Sequence, residues 1–121
     1  MSDSLYTDNI LLHSRMPRNY GLMAKFSVEA KEENPLCGDS LVVRIAFDKK
    51  SKTIREISFE AEGCVISRAA ASLLFEDIKG KTRESIKRIS PRAVESLLGI
   101  SISPGRLKCM LLPLEAIRKA V

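Results

Sequence analysis

Three cysteines and one aspartate are the residues best able to do chemistry in this chain of 121 residues. Cys37 and Asp39 lie in Asn34-Pro35-Leu36-Cys37-Gly38-Asp39, Cys64 in Glu62-Gly63-Cys64-Val65-Ile66-Ser67, and Cys109 follows Arg106-Leu107-Lys108. Three thiolates and one carboxylate make four ligands, the number that a tetrahedral Zn²⁺ or a small iron–sulfur cluster takes. Any one of these cysteines alone reads as a small buried hydrophobe. Three at loop junctions, with Gly38-Asp39 and Gly63 beside them, favour the metal. Gly38 lets the backbone bend so that Cys37 and Asp39, of the same parity, address one ion. Cys64 opens a helix, and a helix amino terminus stabilises a thiolate. The 26 and 44 intervening residues are not the spacing of a close C-x₂-C zinc motif. The odd number does not suit a disulfide framework, and in a reducing compartment it points to metal binding or redox chemistry.

The elements that must position these residues follow from periodicity. Residues 4–15 read as a short helix carrying Leu5, Tyr6, Ile10, Leu12 and His13, ended by Pro17 and Gly21. Three strands follow. Phe26–Ala30 is the least patterned, while Leu41–Phe47 and Ile54–Ala61 alternate apolar and polar residues around a polar hairpin loop, Asp48–Thr53. Ile66–Lys79 has helical spacing and meets a stop at Gly80. Thr82–Ile89 is a short helix, and Ser90-Pro91 opens another that ends at Gly99. Arg106–Ala120 is helical in composition but contains Pro113, which predicts a break or kink near Leu111–Pro113, since an interior proline costs ~3 kcal/mol. The order predicts an α+β domain, a three-stranded antiparallel sheet with helices packed on one face.

Composition narrows the function classes. The length is that of one domain, residues 1–121, with a single core. No apolar run approaches the ~20 residues of a membrane span, and the first residues lack the pattern of a signal peptide, so a cytoplasmic, bacterial-like protein is expected. The net charge of +5 invites a nucleic-acid reading, with Lys79, Lys81, Arg83, Lys87, Arg88 and Arg92 close together. Acidic residues are interspersed and no aromatic residue interleaves as a base-stacking platform would need, so a solvated helical face or an acidic protein partner is the better account. His13 is far in sequence from the cysteines and is expected to hydrogen-bond or cap a helix rather than ligate. Arg68 is expected to face solvent. Lys108 either offsets the negative charge of a four-anion site or faces water.

The loops resemble those of the U-type iron–sulfur cluster assembly proteins, namely the NifU amino-terminal domain, IscU and SufU. The resemblance rests on Cys37-Gly38-Asp39, on Gly63-Cys64 with its small-residue helix through Ser72, on Cys109, and on His13-Ser14-Arg15-Met16-Pro17-Arg18-Asn19-Tyr20-Gly21, similar to H-x-x-x-P-R-N-x-G. It covers nearly the whole chain and implies a SufE/NifU-like fold with the cysteines converging at one end. It further implies that Cys37, Asp39, Cys64 and Cys109 bind zinc or a transient [2Fe–2S] cluster. The partners implied are a cysteine desulfurase that supplies sulfur and apo iron–sulfur acceptor proteins. IscU-type proteins have histidine before the third cysteine, where this chain has Lys108, and their L-P-P-V-K stretch corresponds to Ser103–Lys108. Lys108 and the N-P-x-C-G-D motif are similar to SufU, which holds zinc and accepts sulfur; the 44-residue separation is closer to IscU. Resemblance to SufU makes Cys37 the sulfur acceptor, and resemblance to IscU makes it Cys109. Whether this amounts to a scaffold or a zinc-dependent sulfurtransferase stays open at this point, and so does a zinc-stabilised protein-interaction module without sulfur transfer.

Overall fold

Strand pairing supplies the frame. The computed structural model describes residues 7–35 and 38–121. β1 (Val28–Asn34), β2 (Asp39–Phe47) and β3 (Ile54–Glu62) form an antiparallel sheet in the order β1-β2-β3. The described residues also form five helices: α1 (Asp8–Arg15), α2 (Val65–Asp77), α3 (Arg83–Lys87), α4 (Pro91–Leu98) and α5 (Leu107–Ala120), the last preceded by a 3-10 turn at Pro104–Arg106. The fold class is therefore α+β, as the sequence predicts.

Alternation decides which face of the sheet is covered. Ala30 on β1, Leu41, Val43 and Ile45 on β2, and Ile57, Phe59 and Ala61 on β3 are all buried. The register stacks them, with Val43 between Ala30 and Phe59 and Ile45 opposite Ile57. α2 packs on β3 and α5 on β1 and β2, while α2 also meets α1, α4 and α5. α2 is the central helix, and its Ile66, Ala69, Ala70, Leu74 and Phe75 are all buried. Phe59 bridges the two layers, edge-on to Phe75 at 5.3 Å and to Tyr20 at 5.2 Å. Each such buried side chain contributes roughly 1.5–3 kcal/mol by leaving water.

The opposite face carries a crossing strap. Asn19 and Gly21 exchange hydrogen bonds with Phe59 at 3.0 and 2.8 Å, adding a short parallel bridge to the free edge of β3. The chain then runs over the polar face: Met23 N–H donates to Ser58 Oγ at 2.9 Å, and Arg44 donates to the Met23 carbonyl at 3.0 Å and lies over the Phe26 ring.

Three expectations change. The first strand begins at Val28 and not at Phe26, because Phe26 belongs to the strap; it extends to Asn34 because β2 pairs with it through the charged stretch Lys31-Glu32-Glu33. α5 is continuous through Pro113. Met110, Leu112, Leu114, Ala116 and Ile117 are buried on both sides of the proline, and several such burials outweigh the ~3 kcal/mol helix penalty. Third, the helix read from residue 4 begins at Asp8, capped by Thr7 Oγ1, which accepts from Ile10 N–H at 3.3 Å; residues 1–6 lie outside the described residues. Ser90 caps α4 with Pro91 at the first turn, as read; Thr82, read as the first residue of a helix, is the N-cap of α3.

Candidate metal centre

The end of the sheet at which β1 turns into β2 and β3 runs into α2 collects the chemistry-bearing residues. Asn34 pairs with Asp39 and Ser40 with Glu62, so Gly63 and Asp39 meet on the next rung of the β2–β3 hairpin. The Asp39 carboxylate fills the space where a side chain at residue 63 would go. A Cβ there would stand 2.0 Å from Asp39 Oδ1, and Gly63 also has φ +129°, a left-handed backbone that side chains rarely adopt. With that space open, Asp39 Oδ1 accepts the backbone N–H of Cys64 at 3.0 Å, fixing the carboxylate to the start of α2.

Cys64 is the N-cap residue of α2 and contributes no side-chain cap. Ser67 donates back to the Cys64 carbonyl at 3.0 Å, and its fully buried hydroxyl lies 3.9 Å from the Cys64 sulfur. Cys109 sits in the first turn of α5, 3% exposed, while Cys64 is half-buried. The ligand atoms of Asp39, Cys64 and Cys109 all lie within 4.8 Å of one another. In a tetrahedral zinc site with Zn–S near 2.3 Å, neighbouring ligand atoms are about 3.8 Å apart. The three groups therefore need to close by roughly 1 Å or less to share one ion.

Two further properties fit a cation. Asp39 is 2% exposed, and its Oδ2 has no hydrogen-bond partner. A buried orphan carboxylate oxygen is costly, by about 1–3 kcal/mol or more, unless something positive takes it. The Cys109 thiol is pushed well above the usual thiol range, first by burial and then by hydrogen bonding with and negative charge on Cys64 and Asp39. Three groups able to ligate a metal are thus crowded together at this end of the sheet. Donors of two sulfurs and one hard oxygen suit Zn²⁺ and iron.

Of the four ligands read from the sequence, the structure brings together Asp39, Cys64 and Cys109; Cys37 lies outside the described residues. The Asn34–Asp39 pair closes a short connection that contains Cys37 in sequence. Lys108 is exposed and lines a cleft of about 230 Å³ with Glu32, Glu33, Asn34, Leu111 and Glu115. Arg68 does not face solvent as expected. It donates to the carbonyls of Ser14 (3.0 Å) and Ala61 (2.8 Å) and to Tyr20 Oη (3.3 Å), and its guanidinium stacks on the Tyr20 ring. It clamps the last turn of α1 and Tyr20 to the end of β3, just before Gly63. His13 hydrogen-bonds as read, its Nδ1 lying 2.7 Å from Ser72 Oγ, which also accepts Arg18 N–H. Burial, and then the Arg18 charge, hold the His13 imidazole below its ordinary pKa. Asn34 and Ser67 read in the sequence only as parts of the motifs around the cysteines, with no role of their own; register and helix phase decide which neighbours face the site.

The basic run between Lys79 and Arg92 is largely compensated in place. Lys79 pairs with Glu76, Lys81 with Asp77 and Lys87 with Glu84, and Arg83 lies over Phe47. Among the described residues, no helix is long and apolar enough to cross a membrane.

Residues 5–121 match the family described as the NifU-like N terminal domain. The chain is 32% identical to the zinc-dependent sulfurtransferase SufU of Bacillus subtilis, over 98% of this chain and 90% of that protein. It is also 32% identical to the iron–sulfur cluster assembly scaffold protein IscU 1 of Archaeoglobus fulgidus, over 97% of this chain and 74% of that one. A crystal structure from Fervidobacterium islandicum, described as an iron–sulfur cluster assembly scaffold protein for the SUF system, superimposes with a TM-score of 0.81 over 99% of this chain and 98% of its own. At 24% identity that likeness bears on the fold.

Proposed function

Because this chain belongs to the NifU-like N-terminal domain family, we propose that it is an iron–sulfur cluster biogenesis protein that accepts sulfur from a cysteine desulfurase at a Cys37/Asp39/Cys64/Cys109 metal site. The observation that carries the proposal is the buried, unpartnered Asp39 Oδ2 held with the Cys64 and Cys109 thiols inside 4.8 Å. Structural zinc sites usually close with Cys₄, Cys₃His or Cys₂His₂, so a carboxylate in the set favours a reactive centre over a zinc-stabilised interaction module.

Zinc bound here keeps its cysteines as thiolates at neutral pH. The residues do the rest. Asp39 is anchored through Oδ1 to the Cys64 N–H and presents Oδ2; α5 presents Cys109 from the opposite side. Cys37, on the connection between β1 and β2, is the acceptor: its thiolate attacks the outer sulfur of the desulfurase persulfide. A new S–S bond forms on Cys37, the old one breaks, and the desulfurase cysteine departs as a thiolate. Lys108 is exposed beside the centre and cannot ligate while protonated, which leaves Asp39 as the fourth ligand. A second reading, a scaffold for a nascent [2Fe–2S] cargo passed to apo acceptor proteins, is supported by the IscU relatives. A hard oxygen among soft thiolates makes cluster release easy.

Anaerobic purification followed by zinc, iron and sulfide analysis tests the proposal. We expect one zinc per chain, lost or weakened in Cys37→Ala, Cys64→Ala and Cys109→Ala, and stimulation of the cognate desulfurase. Unchanged metal content in all three variants overturns the site. A stable cluster transferred at a useful rate establishes the scaffold reading instead.

A further inference from the structure

Two buried side-chain atoms lack a hydrogen-bond partner among the described residues: Asp39 Oδ2 and Asn34 Nδ2. They stand on one rung. Asn34 pairs with Asp39 across β1 and β2, both on the helix-facing side, 6% and 2% exposed. A donor and an acceptor placed so close would bond each other if nothing else claimed them. Leaving each unmade costs about 1–3 kcal/mol, and native folds leave few such groups. An acceptor without a partner suits a cation, which is the place Asp39 Oδ2 takes in the proposed centre. A cation cannot satisfy an N–H donor; an anion can. The centre supplies anions in its thiolate sulfurs, and Asn34 faces the stretch of α5 that delivers one of them. It lines the same cleft as Lys108 and Leu111, on either side of Cys109.

We propose that Asn34 is a positioning residue of this centre, its Nδ2 donating a hydrogen bond to the Cys109 sulfur when that sulfur is metal-bound. The proposal rests on the metal-centre reading above and extends it to the surroundings of the ligands, where such partners tune affinity and reactivity. An N–H···S bond withdraws charge from the sulfur, weakens its donation to the metal and lowers its nucleophilicity. On Cys109 it would tune how firmly that sulfur holds the ion while Cys37 is the attacking thiolate.

The test uses the full chain loaded with cobalt(II) for spectroscopy and with zinc for reactivity. Asn34→Asp keeps the shape and removes the donor; Asn34→Leu removes polarity as well. In both variants the thiolate-to-cobalt charge-transfer band should move to longer wavelength. Alkylation of the zinc-loaded protein by iodoacetamide should accelerate roughly tenfold, the rate equivalent of one net hydrogen bond. If Asn34→Leu does not fold, Asn34→Asp gives the same two readings. Both variants binding cobalt with wild-type spectra and alkylation rates would overturn the role of Asn34, its amide then serving an ordered water or packing alone. Failure of the wild type to bind cobalt or zinc would instead overturn the metal centre itself, and Asn34 with it.

Discussion

Gly63→Ala is the sharpest perturbation of the centre, since it touches no ligand chemically. An alanine Cβ would lie 2.0 Å from Asp39 Oδ1, 2.7 Å from its Cγ and 2.9 Å from its Cα. To regain ordinary contact at 3.4 Å the carboxylate must retreat by roughly 1.4 Å, several times the ~0.2 Å tolerance of a metal–ligand distance. The Cα belongs to the neighbouring strand and cannot swing aside. The variant also loses the bond from Cys64 N–H to Oδ1, worth about 1.5–3 kcal/mol as a bond to a charged group, and strains a backbone at φ +129°. Zinc affinity should fall roughly 100-fold or more, at least the upper range for losing a supporting partner of a ligand. Competition with a chromophoric chelator reads the affinity, and circular dichroism confirms that the variant folds. Gly80→Ala is the control: it follows the far end of α2 from Cys64, its φ is +84°, and no atom lies within 4 Å of the added Cβ. It should cost about 1–2 kcal/mol of backbone strain and leave zinc affinity near wild type. A folded Gly63→Ala protein with wild-type zinc affinity would refute the placement of Asp39.

Three other expectations follow from contacts outside the ligands. His13 has its folded pKa held below the ordinary 6.5, so its stabilising contribution is complete above that pH and declines as pH falls from about 6.5 toward the folded value; chemical denaturation across this window should show the decline in wild type and a flatter profile in His13→Gln, and equal profiles would contradict it. Arg68→Ala removes bonds to Ser14, Tyr20 and Ala61 and should destabilise by roughly 2–3 kcal/mol, with Arg68→Lys recovering little because one ammonium cannot reproduce the fork; full recovery by lysine would show that charge alone matters. Lys108→His places a neutral imidazole beside Cys109 and should increase the cluster retained after anaerobic reconstitution, followed by visible absorbance; identical retention would make residue 108 a bystander.

Helix boundaries were legible because caps are local chemistry: Thr82, Ser90-Pro91 and Gly99 announce α3 and α4 without reference to the rest of the chain. β2 and β3 were legible because one face of each is buried and alternates. β1 was misplaced by two residues at its start and four at its end, since an edge strand with Lys31, Glu32 and Glu33 takes its identity from its partner's register. Pro113 misled in the other direction: local propensity argues for a break, and burial on both sides of it keeps α5 whole. At the candidate site, residue types and glycine neighbours pointed to Cys37, Asp39, Cys64 and Cys109, of which Cys37 lies outside the described residues. The close approach of Gly63 to Asp39, the clamp made by Arg68 and the unpartnered amide of Asn34 depend on which residues face each other across rungs, and a linear pattern does not state that.

The ligands are also unequally attached to the rest of the molecule. Asp39 and Cys64 are held on one hairpin and its following helix by a 3.0 Å bond; Cys109 arrives on α5, 45 positions after Cys64 and 70 after Asp39. An ion shared among them is therefore a removable cross-link that closes long loops of chain. The chain-entropy model values a permanent link over such a loop at roughly 4 kcal/mol, and a reversible one stabilises by an amount that grows with the logarithm of the ion concentration above its dissociation constant. With an ion bound, opening of the last helix would have to break a ligand bond as well as its packing. Emptied, the centre leaves α5 to the packing of its own apolar face, so loss of the ion and loosening of the carboxy-terminal helix are two views of one equilibrium.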